Sequence, residues 1–184
     1  LEQRAVPAPP EPARERRPDL VFDDFERASY ERWTATGTAF GSGPVEADRM
    51  PEYQGKVGAQ GRRLVNTHAA APGTEVGARD AATGTLSSQP FTIERDYINF
   101  LVGGGAHRER TCLNLVIDGQ VVLSATGRND NRLGPRSFDV RAFAGRTAQL
   151  QLVDQESGGW GNIGLDEVVF SDASREESVP LDHE

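Results

Sequence analysis

A single cysteine, Cys112, is the only thiol in the chain. No disulfide can close within the chain and no cysteine-based metal site can form, so stability has to come from a buried core. Cys112 lies in an apolar run and reads as a buried strand thiol. Lysine is nearly missing as well: of 20 basic residues only Lys56 is a lysine, the rest being arginines. Schiff-base and lysine-nucleophile chemistry therefore has one candidate. Only His68 and His107 lie in the body of the chain, too few for a zinc site. No stretch approaches the ~18 apolar residues of a membrane span. The net charge of −8, with a pI near 5.0, leaves no excess of positive charge for nucleic acid or anionic lipid. A sustained helical period is also missing from every window.

What the sequence does contain is strand after strand between two polar ends. Residues 1–19 hold five of the eleven prolines and four arginines balanced by four acids, with almost nothing to bury. They read as an extended leader or linker. Residues 173–184 read as an acidic flexible tail, and residues 20–172 as one domain. Short β-branched or aromatic runs are expected as strands at Leu20–Phe25, Trp33–Phe40, Arg62–Asn66, Thr85–Phe91 and Tyr97–Val102. Further strands are expected at Cys112–Asp118, Gln120–Thr126, Ser137–Phe143, Thr147–Val153 and Asn162–Phe170. Leu113, Leu115 and Ile117 alternate with Cys112, Asn114 and Val116, and Ala148, Leu150 and Leu152 alternate with Gln149 and Gln151. That period of two describes antiparallel strands with one face on water. Asp118-Gly119 marks a tight hairpin. The pattern predicts an all-β fold, a two-sheet antiparallel β-sandwich of jelly-roll type with non-globular ends. Trp33 and Phe40, in alternating positions, belong to its core.

Catalytic constellations are weak. Carboxylate pairs at Asp154/Glu156 and Asp166/Glu167 have the chemistry of a glycosidase pair, but acids at strand ends are commonly turn formers. No Gly-x-Ser-x-Gly elbow accompanies the histidines. Gly103-Gly104-Gly105 follows a strand without opening a helix, so it is not a phosphate loop. One acidic set is more informative. A jelly roll commonly lays its first and last strands side by side, which would bring Asp24 and Glu26 to Asp166. Carboxylates so gathered repel one another unless a cation joins them, and calcium takes oxygen ligands of this kind. A structural Ca2+ on Asp24, Glu26 and Asp166 is one expectation; two acidic strand edges facing water is the other.

Several stretches also resemble a known module. They are Asp24-Phe25-Glu26, Trp33, Gly37–Pro44, Leu64-Val65-Asn66, Thr83–Leu86, the long run Phe91–Gly105, Asp154, Gly158–Ile163 and Asp166. In this order they resemble an accessory β-sandwich attached to family-32 glycoside hydrolases (levanases and related fructan hydrolases) and to planctomycete-type secreted proteins. The opening and closing acids are also similar to those of the MAM domain, a calcium-bearing jelly roll. The resemblance implies a non-catalytic, carbohydrate-binding-like module of an extracytoplasmic protein, periplasmic or at the cell surface, with fructan as a candidate ligand. The chain begins at Leu1 and not at Met, so an upstream segment, cleaved or left out, is expected. The sequence departs from the module at Asn66-Thr67-His68, at Trp160-Gly161-Asn162 and in a short loop over 127–133.

A sugar site needs an aromatic platform with amide and carboxylate partners. The expected cluster is Trp160, Asn162 and Asp154, near Asn66 and the Gly103, Gly104 and Gly105 loop, with Trp160 as a cap on the sandwich end as the competing reading. A functional alternative stands beside the glycan: an accessory subunit that docks a protein partner in a larger assembly through its loops and extended leader.

Overall fold

The computed structural model describes residues 6–9 and 15–175. Twelve strands are present among them: β1 Leu20–Asp23, β2 Trp33–Gly37, β3 Val45–Glu46, β4 Arg63–Asn66, β5 Gly84–Ser88 and β6 Phe91–Thr92, then β7 Tyr97–Gly104, β8 Thr111–Ile117, β9 Gln120–Thr126, β10 Asp130–Asp139, β11 Thr147–Asp154 and β12 Ile163–Ser171. Two short helices, α1 Thr67–Ala70 and α2 Val76–Ala81, interrupt them. The strands form two antiparallel sheets that pack face to face as a jelly-roll sandwich. One runs β10-β7-β12-β4-β3 with β1 also on β12; the other runs β2-β5-β11-β8-β9 with β6 also on β11. No described helix is long and apolar enough to cross a membrane.

The expected pairing of first and last strands holds: Leu20 and Val21 face Phe170 and Val169. The alternating residues become the core. Leu113, Leu115, Ile117, Ala148, Leu150 and Leu152 meet Phe100, Phe138, Ile163, Leu165, Trp33 and Phe40 between the sheets. Phe22 joins Trp33, Phe91 and Phe170 in a ring cluster with centroids 4.9–5.9 Å apart. Asp118 and Gly119 both take positive φ, 50° and 74°, as the β8–β9 hairpin requires. Cys112 is buried, as expected.

Three expectations need correction. The run 85–91 is two strands parted at Gln89-Pro90, because proline cannot donate to the ladder. The strand expected at Ser137–Phe143 begins earlier, at Asp130, and ends at Asp139, whose Oδ1 accepts the Arg141 N–H and turns the chain into a 3-10 turn. Pro135 within it is tolerated because β10 is an edge strand. As a result residues 130–133 of the span expected as loop belong to the strand, although among them only Asp130 has a register partner, Gly104. The described part of the leader is tied down at its end: Arg17 grips Asp172 at 2.8 Å, and Arg95 donates to the Pro18 carbonyl. At the other end the Arg175 N–H donates to Ser137 Oγ.

Candidate functional site

Most of the residues expected at a ligand converge at one end of the sandwich, but they are packed into one another. Asn66 caps α1 by accepting the Ala69 N–H, and pairs in register with Gly164. Asn162 donates to Asn131 Oδ1, and its carbonyl accepts the Gly105 N–H. Gly103, Gly104 and Gly105 are needed for close approach: a Cβ on Gly105 would land on the Trp160 carbonyl, and Gly104 holds φ +102° against Asn162. Asp154, at the end of β11, is wholly inaccessible. Asn66 and Asn162 are buried too, so these side chains form a packed polar knot at the sandwich end, with Trp160 partly exposed beside it. The reason is that β4, β7, β11 and β12 all reach this end and enclose the side chains between them.

Asp154 has a distinctive electrostatic position. Neither carboxylate oxygen finds a well-formed hydrogen bond, and burial pushes its pKa up to about 7. The Thr67 hydroxyl and the Glu156 N–H pull the other way, while Asp80 and Glu156 add repulsion.

At the rim of the knot lie groups that sequence reasoning passed over. His68 bridges Asp80 and Tyr53, with Nδ1 at 2.6 Å from Asp80 and Nε2 at 2.6 Å from the Tyr53 hydroxyl. The Tyr53 ring stands edge-on to the imidazole, 5.5 Å away at 87°. Tyr53 and Trp160 are the exposed aromatics of this region, 57% and 37% accessible. Trp160 also holds a positive φ of 57°, costly for a bulky side chain and held by a loop in which Gly161 donates to Gly158 and His107 meets the Gly159 carbonyl.

Of the acids of the calcium expectation, Glu26 lies close enough to Asp166 to repel it, and Asp24 Oδ1 accepts the Glu26 N–H. Asp166 and Glu167 lie on β12 where its pairing with β7 shifts register, a bulge opposite the end of β1. Their oxygens are turned onto amides: Glu26 accepts the Arg62 and Arg63 N–H groups, and Asp166 accepts those of Gln60 and Glu167. Burial and the neighbouring Glu167 and Glu26 push Asp166 up to about 7. Among the described residues no three acidic, histidine or cysteine side chains are grouped to hold a metal. Main-chain carbonyls or waters would have to join Asp24, Glu26 and Asp166 to reach the six to eight oxygens calcium takes.

The open space lies elsewhere. A groove of about 1050 Å³ runs over the outer face of the second sheet, lined by Thr85, Asn114, Ser124, Thr126, Gln151 and Val153. Arg108, Glu109 and Arg136 stand at its margins, and Val121 adds an exposed apolar surface. The period of two produces this face directly: the residues alternating with core leucines in β8 and β11 are amides and small side chains. In the groove Asn114 Oδ1 accepts from Ser124, and Thr36 and Thr85 share a hydroxyl bond. A smaller recess of about 150 Å³, lined by Arg128, Asp130, Arg132 and Arg136 over Val102 and Leu133, shares Thr126 and Arg136 with the groove.

The fold is that of the K2 cleaved adhesin domain of Lys-gingipain, with a TM-score of 0.54 at 14% identity, over 83% of this chain and 99% of that one. Lower likenesses lead to a cyclase of Fischerella sp. TAU (TM-score 0.49, 12% identity, 91% and 93% covered) and to a carbohydrate-binding module bound to β-1,4-galactotriose (0.46, 17%, 83% and 94%). Scores below 0.5 decide nothing about ligand. In sequence the chain is similar to a protein of Aspergillus rugulosus named as a glycosyl hydrolase, 36% identical over 155 residues. The match takes in 83% of this chain but spans only 21% of that protein's length. No protein-family profile matches.

Proposed function

We propose that this chain is a non-catalytic glycan-binding module of an extracytoplasmic protein, and that the polysaccharide lies along the outer face of β5, β11, β8 and β9. The observation that carries the reading is the groove itself: long, open, and lined by hydroxyl and amide groups suited to sugar hydroxyls, with Val121 for an apolar sugar face. The similarity to about a fifth of a glycosyl hydrolase supports an accessory role beside a catalytic unit. Fructan enters as a candidate through the resemblance of the sequence. The docking alternative relies on a free leader, and residues 16–18 of that leader are engaged by Asp19, Asp172 and Arg95.

The test is retention of the purified chain on a panel of insoluble and gel-embedded polysaccharides, fructans included. The double variant Thr85→Ala, Gln151→Ala should weaken retention at least tenfold, whereas Trp160→Ala should leave it within twofold. Loss on Trp160→Ala with an unaffected double variant would move the site to the sandwich end. No retention on any polysaccharide, with a copurifying protein complex, would favour the docking role.

A further inference from the structure

Arg136 occupies a position where the fold has no use for a charge. It lies in β10 opposite Phe100, two residues before Phe138, which faces the core. That register turns it inward at the open lateral edge of the sandwich, where β10 ends one sheet and β9 ends the other. It is half-buried, and its Nε has no hydrogen-bond partner. Burial and the charge of Arg128 both disfavour its ionised form, so the environment repels the cation it holds. An inward charge on an edge strand guards against edge-to-edge pairing, and one arginine would suffice for that. Here Arg128 and Arg132 line the same recess. Asp130 lines the recess with them, its Oδ1 accepting the Arg132 N–H, and Glu109 lines the adjoining groove with Arg136.

Guanidinium groups converging on a small cavity form a fork geometry that matches carboxylate or sulfate. The recess has room for one such substituent. Because Thr126 and Arg136 line both spaces, a sugar ring in the groove would direct its acidic group into the recess. We infer that the recess of Arg128, Arg132 and Arg136 selects an acidic glycan, a polysaccharide whose residues carry a carboxylate or sulfate at the end of the outer-face groove. This inference rests on the glycan reading and sharpens it. The overall charge of −8 would slow the approach of a polyanion, so selectivity must come from short-range contacts at this recess.

The experiment compares the full chain on polygalacturonate, on the same polymer after carboxyl reduction, on a sulfated polysaccharide and on neutral levan, with inorganic sulfate as competitor. The expected result is at least a tenfold preference for an acidic polymer over its neutral counterpart, falling severalfold between 50 and 300 mM NaCl at about one phosphate-like contact or more. Arg136→Gln should reduce that preference at least tenfold. Arg132→Gln, at an exposed position where folding is not at risk, should reduce it in the same direction. Equal retention of acidic and carboxyl-reduced polymer overturns the inference and leaves the glycan reading standing. Absence of retention on every polymer overturns both. Sulfate binding as tightly as the acidic polymer would make the recess an inorganic-anion site, and binding of an acidic protein alone would make it a docking patch; either outcome overturns the acidic glycan.

Discussion

Asp154 should make the protein less stable in alkali than in mild acid. In the fold its carboxyl is wholly inaccessible and titrates at about 7, whereas its ordinary value is 3.8. A folded-state pKa above the unfolded one means the native state holds the proton more tightly. The stabilisation is complete below about pH 4 and is lost as pH rises through about 7. Each pH unit between those values costs about 1.4 kcal/mol, so ionising Asp154 destabilises the fold by roughly 4 kcal/mol at most. Asp166, also inaccessible and also near 7, adds a loss of the same sign. The paired surface acids do not mask the effect. Asp172, held low by its hydrogen bonds to Arg17, and Asp139, held low by Arg141, gain stability as pH rises only through the acid range. The assay is urea unfolding at pH 5, 6, 7 and 8 on the natural chain, Asp154→Asn and Asp166→Asn. The natural chain should lose stability from pH 5 to about 7 and level off towards pH 8. Each asparagine variant should flatten part of that loss and be more stable than the natural chain at pH 8. A natural chain whose stability rises over this range, or an Asp154→Asn variant with an unchanged slope, would refute the reasoning.

Other outcomes follow from single contacts. Trp33→Phe removes the 2.7 Å indole bond to the buried Asp23 and should cost about 1–3 kcal/mol, read by chemical unfolding. Gly105→Ala forces a methyl group onto the Trp160 carbonyl and should cost about 1–3 kcal/mol, with a matching loss of hydrogen-exchange protection in the 158–162 loop. Arg17→Ala breaks a partly exposed pair and should lower stability slightly at pH 7, an effect that shrinks as pH falls through the acid range and Asp172, held low by Arg17, takes up its proton. With the acids near Asp166 bound to amides, excess chelator should leave the melting temperature unchanged; a drop that calcium reverses would restore a structural Ca2+ on Asp24, Glu26 and Asp166.

The strands and the face each residue takes were legible because period-two alternation is local. Leu113, Leu115, Ile117, Leu150 and Leu152 declare their side within a few residues, and Asp118-Gly119 declares its turn. Even the β12 bulge leaves a trace: Ile163, Leu165, Val168 and Phe170 keep the core face only if one residue is inserted after Leu165. The sequence alone therefore determined the all-β sandwich, the buried thiol, the core aromatics and the pairing of the first and last strands. Exposure at the sandwich end was decided by tertiary structure. Asn66, Asp154 and Asn162 look like ligand groups one at a time, and they are buried because four strand ends arrive together at one end of the sandwich. The bonds from His68 to Asp80 and Tyr53 join segments 12 and 15 residues apart through two helices with no periodic signal. The groove and its arginine recess depend on which strands end each sheet. That order, with β9 and β10 at facing edges, comes from long-range pairing, which no local spacing encodes.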